Sequence, residues 1–527
     1  MKKLNNIAKT LCRTNPKAGA NRARKIYLIT MVFMLLLFIN CTDKTFAQTQ
    51  EKPRIIVTCD PELDDLNSLI RFLLHSTDFR IEGLVYASSQ FHWKGDGKGA
   101  KWFVPGREYT RNGLNLDSME SWRWAKDERF IHDAVEAYEK VYSNLKIHNS
   151  EYPTPEYLKS KIRYGNIEFD GDISKVTDGS ELIKSVIMDD VPGTLFITAW
   201  GGASTIARAL KSIQEEYENT SEWDGIKEKV SNKVILCLSG DQDDTYTNYI
   251  KPNWQNIGLH QPAGGGVGLV YNAQAFAKPE YAFYYEPEWI SENISQRGAL
   301  GALFRVWGDG KQMVEGDIFD YFHLSGYTAD ELREMGYIVW TPPQKKGSWL
   351  AEGDTHTFLN LLDNGLRAHE DPTYGGWSGR KREASASAGF MMGFGRADEA
   401  MPDNFFPAVQ NDLAARLKWS VSPRYADANH HPKIDCPLII SATPGEKVNI
   451  KATVTDPDKD EVSVKWWQFK VGSYNGDVVI ENPESASISF TVPNDAKQGE
   501  TIHLILEAVD KGSPALTRYH RIIITVR

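Results

Sequence analysis

Four of the six consecutive residues Asp60-Pro61-Glu62-Leu63-Asp64-Asp65 carry carboxylates. Such neighbours repel one another, and a hard divalent cation would neutralise them. Ca2+ takes roughly six to eight oxygen ligands in irregular geometry and suits Asp-rich loops. Helix capping is the competing account, because Asp64 or Asp65 near a helix N-terminus is favoured electrostatically anyway. Capping explains one or two acids and leaves the rest. A second segment, Thr198-Ala199-Trp200-Gly201-Gly202-Ala203-Ser204, joins a strand to a helix through glycines. Glycine lets backbone approach a ligand closely, and a carbonyl here could reach a cation. A tight turn capped by Ser204 is the plain alternative. A third, Glu352-Gly353-Asp354-Thr355, reads locally as an N-cap Asp. A fourth, Gly240-Asp241-Gln242-Asp243-Asp244, is another acidic patch. Glycoside hydrolysis with two carboxylates needs an acid for the leaving group, and Glu352 or Asp243 could supply it. Gln242, Asp243 and Glu352 are therefore expected substrate contacts.

These segments sit where a parallel sheet would display them. Arg54–Cys59 reads as a strand, followed by Leu66, Leu69, Ile70, Leu73 and Leu74 at helical spacing. Ile81–Ala87, Thr194–Thr198 and Lys233–Leu238 read as further buried strands. Phe130–Leu145 and Ser204–Glu216 read as helices, and Tyr337–Trp340 as a short strand. Strands buried on both faces and separated by helices imply an α/β domain, here residues 50–424, with an open, mostly parallel sheet. In such sheets ligands bind at the carboxyl ends of the strands, where the acidic segments fall. Residues 425–437 are polar and Pro-bearing and read as a linker. Residues 438–527 alternate in short β-rich runs and predict an immunoglobulin-like β-sandwich with its own core.

The N-terminus reads as processing signal. Basic residues up to Lys25 precede the apolar run Ile26–Ile39, which is too short to span a bilayer comfortably. The expectation is a signal peptide over 1–47 cleaved after Ala47, with lipidation at Cys41 the secondary reading. The protein is then exported, with no membrane span in the mature chain. Over 527 residues the net charge is −10, which argues against a nucleic-acid polymer as partner. Cys59, Cys237 and Cys436 are too few for a disulfide framework.

Strand, Asp-Pro-x-x-Asp-Asp, then helix resembles the N-terminal fingerprint of the nucleoside hydrolase superfamily. The turn leading into Ser204-Thr205-Ile206-Ala207 resembles that family's second block. The whole chain is similar to a branch of secreted bacterial cellulose-binding proteins that add a C-terminal β domain. Gly298–Leu303, Glu352–Phe358 and Gly375–Gly379 carry that likeness. The resemblance implies Ca2+ held by Asp60, Asp65, Asp354 and the Trp200 carbonyl, with Asp60 as catalytic base and Asp64 on sugar hydroxyls. Thr58, Glu62 and Gly353 depart from the superfamily pattern, which has Asp, Gly and, in many members, His at those places. Two functions stay open. One is calcium-dependent hydrolysis of N-glycosidic bonds. The other is non-catalytic binding of carbohydrate, whether a cellulose-like polysaccharide or a glycoside, on a retained hydrolase fold. Trp466 and Trp467, on opposite faces of one strand, are expected to give the β domain an exposed ring for sugar stacking.

Overall fold

Alternation in the first strand decides the layering. In β1 (Arg54–Cys59), Ile55, Val57 and Cys59 point into one apolar layer and Ile56 into the other. No residue of β1 is exposed, as expected of a strand covered on both faces. This computed structural model describes residues 52–111, 113–114, 116–260, 268–371, 373–380 and 405–527. The expected signal peptide, with Cys41, lies outside the described residues. Among them, no helix is long and apolar enough to cross a membrane.

The remaining strands of the first sheet are β2 (Arg80–Tyr86), β3 (Ile162–Tyr164), β4 (Leu195–Ala199), β5 (Val234–Leu238) and β6 (Gly258–Leu259). All pairs are parallel, in the order β3-β2-β1-β4-β5-β6. The order reverses between β1 and β4, which creates the crevice where doubly wound sheets bind ligands. Helices α1 (Leu63–Leu74), α2 (Phe130–His148), α3 (Asp178–Met188), α4 (Ser204–Tyr217) and α5 (Trp223–Lys233) flank the sheet, and α6 (Phe406–Val421) closes the domain. The first two and α6 share the layer with Val57, and α3, α4 and α5 the layer with Ile56. The strand expected at Tyr337–Trp340 does not form. Its backbone is instead tied to one hydroxyl, because Trp340 and Thr341 both donate N–H to Tyr321 Oη, at 3.2 and 2.8 Å.

The C-terminal part is all β. It runs through β7 (Lys433–Asp435), β8 (Ile439–Ala442), β9 (Lys447–Lys451), β10 (Thr453–Thr455), β11 (Val462–Gln468), β12 (Ile480–Glu481), β13 (Ser487–Thr491), β14 (Thr501–Asp510) and β15 (Thr517–Val526). A four-stranded sheet, β11-β14-β15-β8, packs on a three-stranded one, β12-β13-β9, through Trp466, Leu504, Ile522, Ile450 and Phe490. The other face of the larger sheet is covered too. Ile505, Tyr519, Trp467 and Phe469 belong to the same apolar layer as α1 and α6. The stretch 425–437 is packed, with Asn429 and His430 buried and β7 paired to β10.

Candidate functional site

Two strand ends meet at the reversal. Trp200 donates its N–H to Thr58 O at 2.9 Å, setting the Gly201-Gly202 turn beside Asp60. A Cβ on Gly201 would sit 2.8 Å from Asp60 Cγ, so only glycine admits the carboxylate there. Asp60 is fully buried. Its N–H donates to Asp65 Oδ1 at 3.0 Å, and Ser89 Oγ donates to its Oδ2. Its Oδ1 has no partner. Asp64 and Asp65 occupy the first turn of α1, where the helix dipole favours negative charge. Asp354 hydrogen-bonds Ser239, at the end of β5. Tyr271 Oη donates to Asp64 Oδ1 at 3.3 Å, and Gly353 lies so close that its Cβ would stand 2.1 Å from Asp64 Oδ2. A side chain at Gly353 would displace the Asp64 carboxylate from this position.

The electrostatics of this pocket are unbalanced. Burial pushes Asp60 up to about 7, with the charge of Asp64 adding to it. Burial pushes Asp64 up to about 6. Burial first, then the neighbouring carboxylates, hold Glu62, Asp65 and Asp354 well above the ordinary range. Four buried carboxylates and a half-buried fifth, Glu62, cannot all be ionised without a compensating cation. Oxygen donors, a buried partnerless Asp60 Oδ1 and excess negative charge fit a hard divalent ion such as Ca2+. Ligand atoms of Asp60, Glu62 and His92 lie within 4.8 Å of one another, as do those of Glu62, Asp64 and Asp65.

Several expected contacts have other work. Gln242 Nε2 donates to the Trp200 carbonyl at 2.6 Å, so it positions that oxygen. Asp243 acts as a cap: Oδ2 accepts from Ser204 N at 3.0 Å, and Oδ1 from the N–H and hydroxyl of Thr245. Glu352 is likewise tied into the fold. It is fully buried and pairs with Arg71 through bonds of 2.5 and 3.0 Å. Trp466 is 2% exposed inside the sandwich, and Trp467 packs toward Phe405. The exposed ring expected of this pair is absent because both faces of their sheet are covered.

The sequence reading missed Ser89, His92 and Tyr271. Ser89 was findable, since Ser88-Ser89 follows β2 at the same carboxyl edge as Asp60. His92 accepts nothing at Nδ1, which donates to Arg123 O at 2.9 Å; its Nε2 lacks a partner and lies 4.0 Å from Glu62 Oε2. Burial, then Arg123, lowers its pKa well below the usual value, so the ring is neutral.

Comparison with known proteins bears on this geometry. Residues 54–380 match the family model described as cellulose-binding Sde182, nucleoside hydrolase-like domain. Residues 447–526 match that of the C-terminal domain of cellulose-binding protein Sde0182. A solved structure of a nucleoside hydrolase-related hypothetical protein from Saccharophagus degradans, described as associated with carbohydrate metabolism, superposes with a TM-score of 0.65. It is 24% identical and covers 90% of this chain and 100% of its own, which establishes the shared fold. Murine CRIg overlays 19% of this chain and 99% of its own at 14% identity and a TM-score of 0.15, too low to carry an argument. No curated protein matches the chain.

Proposed function

On the premise that the chain belongs to the family of cellulose-binding proteins with a nucleoside hydrolase-like domain, we propose that it is an exported, carbohydrate-directed hydrolase of N-glycosidic bonds. The observation that supports this best is the convergence of Asp60, Glu62, Asp64, Asp65 and Asp354 at the sheet reversal, with Asp60 Oδ1 free. Asp60, Asp65, Asp354 and the Trp200 carbonyl would hold Ca2+. When bound, the cation supplies charge balance and polarises an attacking water. Asp60, its Oδ2 oriented by the Ser89 hydroxyl, would accept the proton of an attacking water. Asp64, steadied by Tyr271 and Gly353, accepts sugar hydroxyls. Neighbouring carboxylates stabilise positive charge developing on the sugar. Glu62, whose side chain is 21% exposed and faces His92, is the group left to protonate the departing atom.

The test is turnover of a panel of nucleosides and aryl glycosylamines with Ca2+ or with EDTA. Activity should require Ca2+, and Asp60→Asn should lower kcat by roughly a hundredfold to ten-thousandfold. A second reading, carbohydrate binding without turnover, is favoured by one observation. Glu352 and Asp243, the acids the sequence offered for the leaving group, are both committed to structural bonds. Saccharide binding without any turnover across the panel would select that reading.

A further inference from the structure

The chain has fifteen Trp residues. Fourteen are buried or half-buried, and Trp340 is 49% exposed. Leaving an indole half in water forgoes burial that the other tryptophans obtain, and a large exposed ring is more informative than a buried one. Its position gives the reason. The Trp340 ring meets Tyr271 edge-on at 4.9 Å and Phe322 at 5.5 Å. The hydroxyl of Tyr271 reaches Asp64. One aromatic ring therefore separates the exposed indole from the carboxylate cleft.

The backbone that carries the ring is also pinned. It is tied to Tyr321 Oη, and that hydroxyl donates back to Thr341 O at 2.8 Å. The apolar cluster beneath contains Tyr321, Phe322, Trp307 and Leu63, with Tyr271 and Val339 packed against it. Leu63 directly precedes Asp64, so one cluster sets the indole and the acidic loop in register. A pre-organised aromatic loses little freedom when a ligand arrives.

We propose that Trp340 is a stacking platform for a pyranose ring of a β-glucan-type saccharide, whose next residue enters the cleft at Asp64. This rests on the carbohydrate reading above. A pyranose offers a C–H face to the indole and hydroxyl edges to carboxylates, which is the pairing that Trp340 and Asp64 provide. A sandwiched nucleobase would call for a second ring opposite the first; among the described residues, the rings in contact with Trp340 are Tyr271 and Phe322, both edge-on from the same wall.

The experiment is calorimetric titration of the mature chain with cellotetraose and, separately, with inosine, using wild type, Trp340→Ala, Trp340→Phe and Asp64→Asn. Trp340→Ala should weaken cellotetraose binding roughly five- to twentyfold, with Trp340→Phe within about threefold of wild type. The thermal shift given by Ca2+ should be unchanged in both Trp340 variants, which guards against misfolding. Equal cellotetraose affinity in Trp340→Ala and wild type, with binding lost in Asp64→Asn, overturns the platform and leaves the functional reading standing. Loss of inosine binding alone also overturns it, and assigns the ring to a base. No binding of either ligand to wild type overturns both the platform and the reading beneath it.

Discussion

At the scale of single residues, the buried acids divide into those that have found partners and those that have not. Glu352 has Arg71 and Thr355; Asp243 has three donors. Asp60 keeps a bare oxygen, and Asp65 and Asp354 crowd it. The first group should behave as fold and the second as cation site. Glu352→Gln should destabilise the protein by about 3–5 kcal/mol in urea, because it leaves the Arg71 guanidinium buried without a counter-charge. Asp65→Asn should do the reverse in EDTA, equalling or exceeding wild type, since it removes a repelling charge. With Ca2+ the order should invert. A ligand at about a hundred times its Kd adds about 2.7 kcal/mol to the state that binds it, so wild type should rise in Tm and the variant should not. A wild-type Tm indifferent to Ca2+ would sink the cation assignment. The sequence could show that acids gather at strand ends, because strand and helix periodicity mark those ends. It could not show which acids are already satisfied. The partner of Glu352 is 281 positions away in the chain, and only the fold brings Arg71 to it.

At the scale of elements, the site depends on β1 being held at its far end as well. Arg54, the first residue of β1, is paired with Glu82 at 2.8 Å and with Asp189 at 2.6 Å, just beyond α3. Lys233, at the end of α5, donates to the same Asp189. Burial alone would raise the Asp189 carboxyl, but hydrogen bonds from Arg54 and Lys233 overrule it and bring its pKa to about 2. A folded-state pKa below the unfolded value means stability that is present above about pH 4 and lost as pH falls toward 2. Its size is at most about 2 kcal/mol, because the side chain is 30% exposed and burial pulls Lys233 in the opposite direction. Asp189→Asn should therefore be less stable than wild type at pH 6, and the gap should close between pH 4 and 2. A gap independent of pH would mean that the contact is not ionic. The strands β1, β4 and β5 were legible because each is a short, mostly apolar run, and β2 because Leu84-Val85-Tyr86 follows Ile81 between turn residues. Tyr337–Trp340 was misread for the same reason: its apolar side chains serve a pinned loop beside Tyr321, and period alone does not distinguish the two.

At the scale of the whole molecule, the question is why a sandwich with its own core is joined so closely to the α/β domain. Strand β15 presents backbone to it as well as side chains. Tyr519 and Arg521 donate N–H to Asn364 and Gly365 O, each at 3.0 Å. The Arg521 guanidinium is fully buried; among the described residues it pairs with no carboxylate, and the carbonyls of Leu366, Tyr374 and Gly375 and the ring of His503 satisfy it. Burial, then Arg367, lowers its pKa to about 9, so it stays charged at neutral pH. Ile505, Tyr519, Trp467 and Phe469 add an apolar contact continuous with α6. Composition predicted an autonomous sandwich because alternation shows that a strand has two faces; it does not show that the outer face is also spoken for. The two parts should therefore unfold together, in one calorimetric transition. Gly365 has a φ of +90°, and a Cβ there would stand 1.8 Å from Tyr519 O, so any side chain must push β15 away. Gly365→Ala should split the single transition into two while Ca2+ still stabilises the first. Residues 438–527 made alone should keep the inner core but associate through the uncovered flank, eluting as oligomers. A monomeric fragment melting at the temperature of the full chain would show that the contact is incidental. Coupling of this kind would carry strain from the sandwich through Asn364 and Gly365 toward Asp354, ten residues earlier, so Gly365→Ala should also weaken Ca2+ binding, measurably though less than Asp65→Asn does.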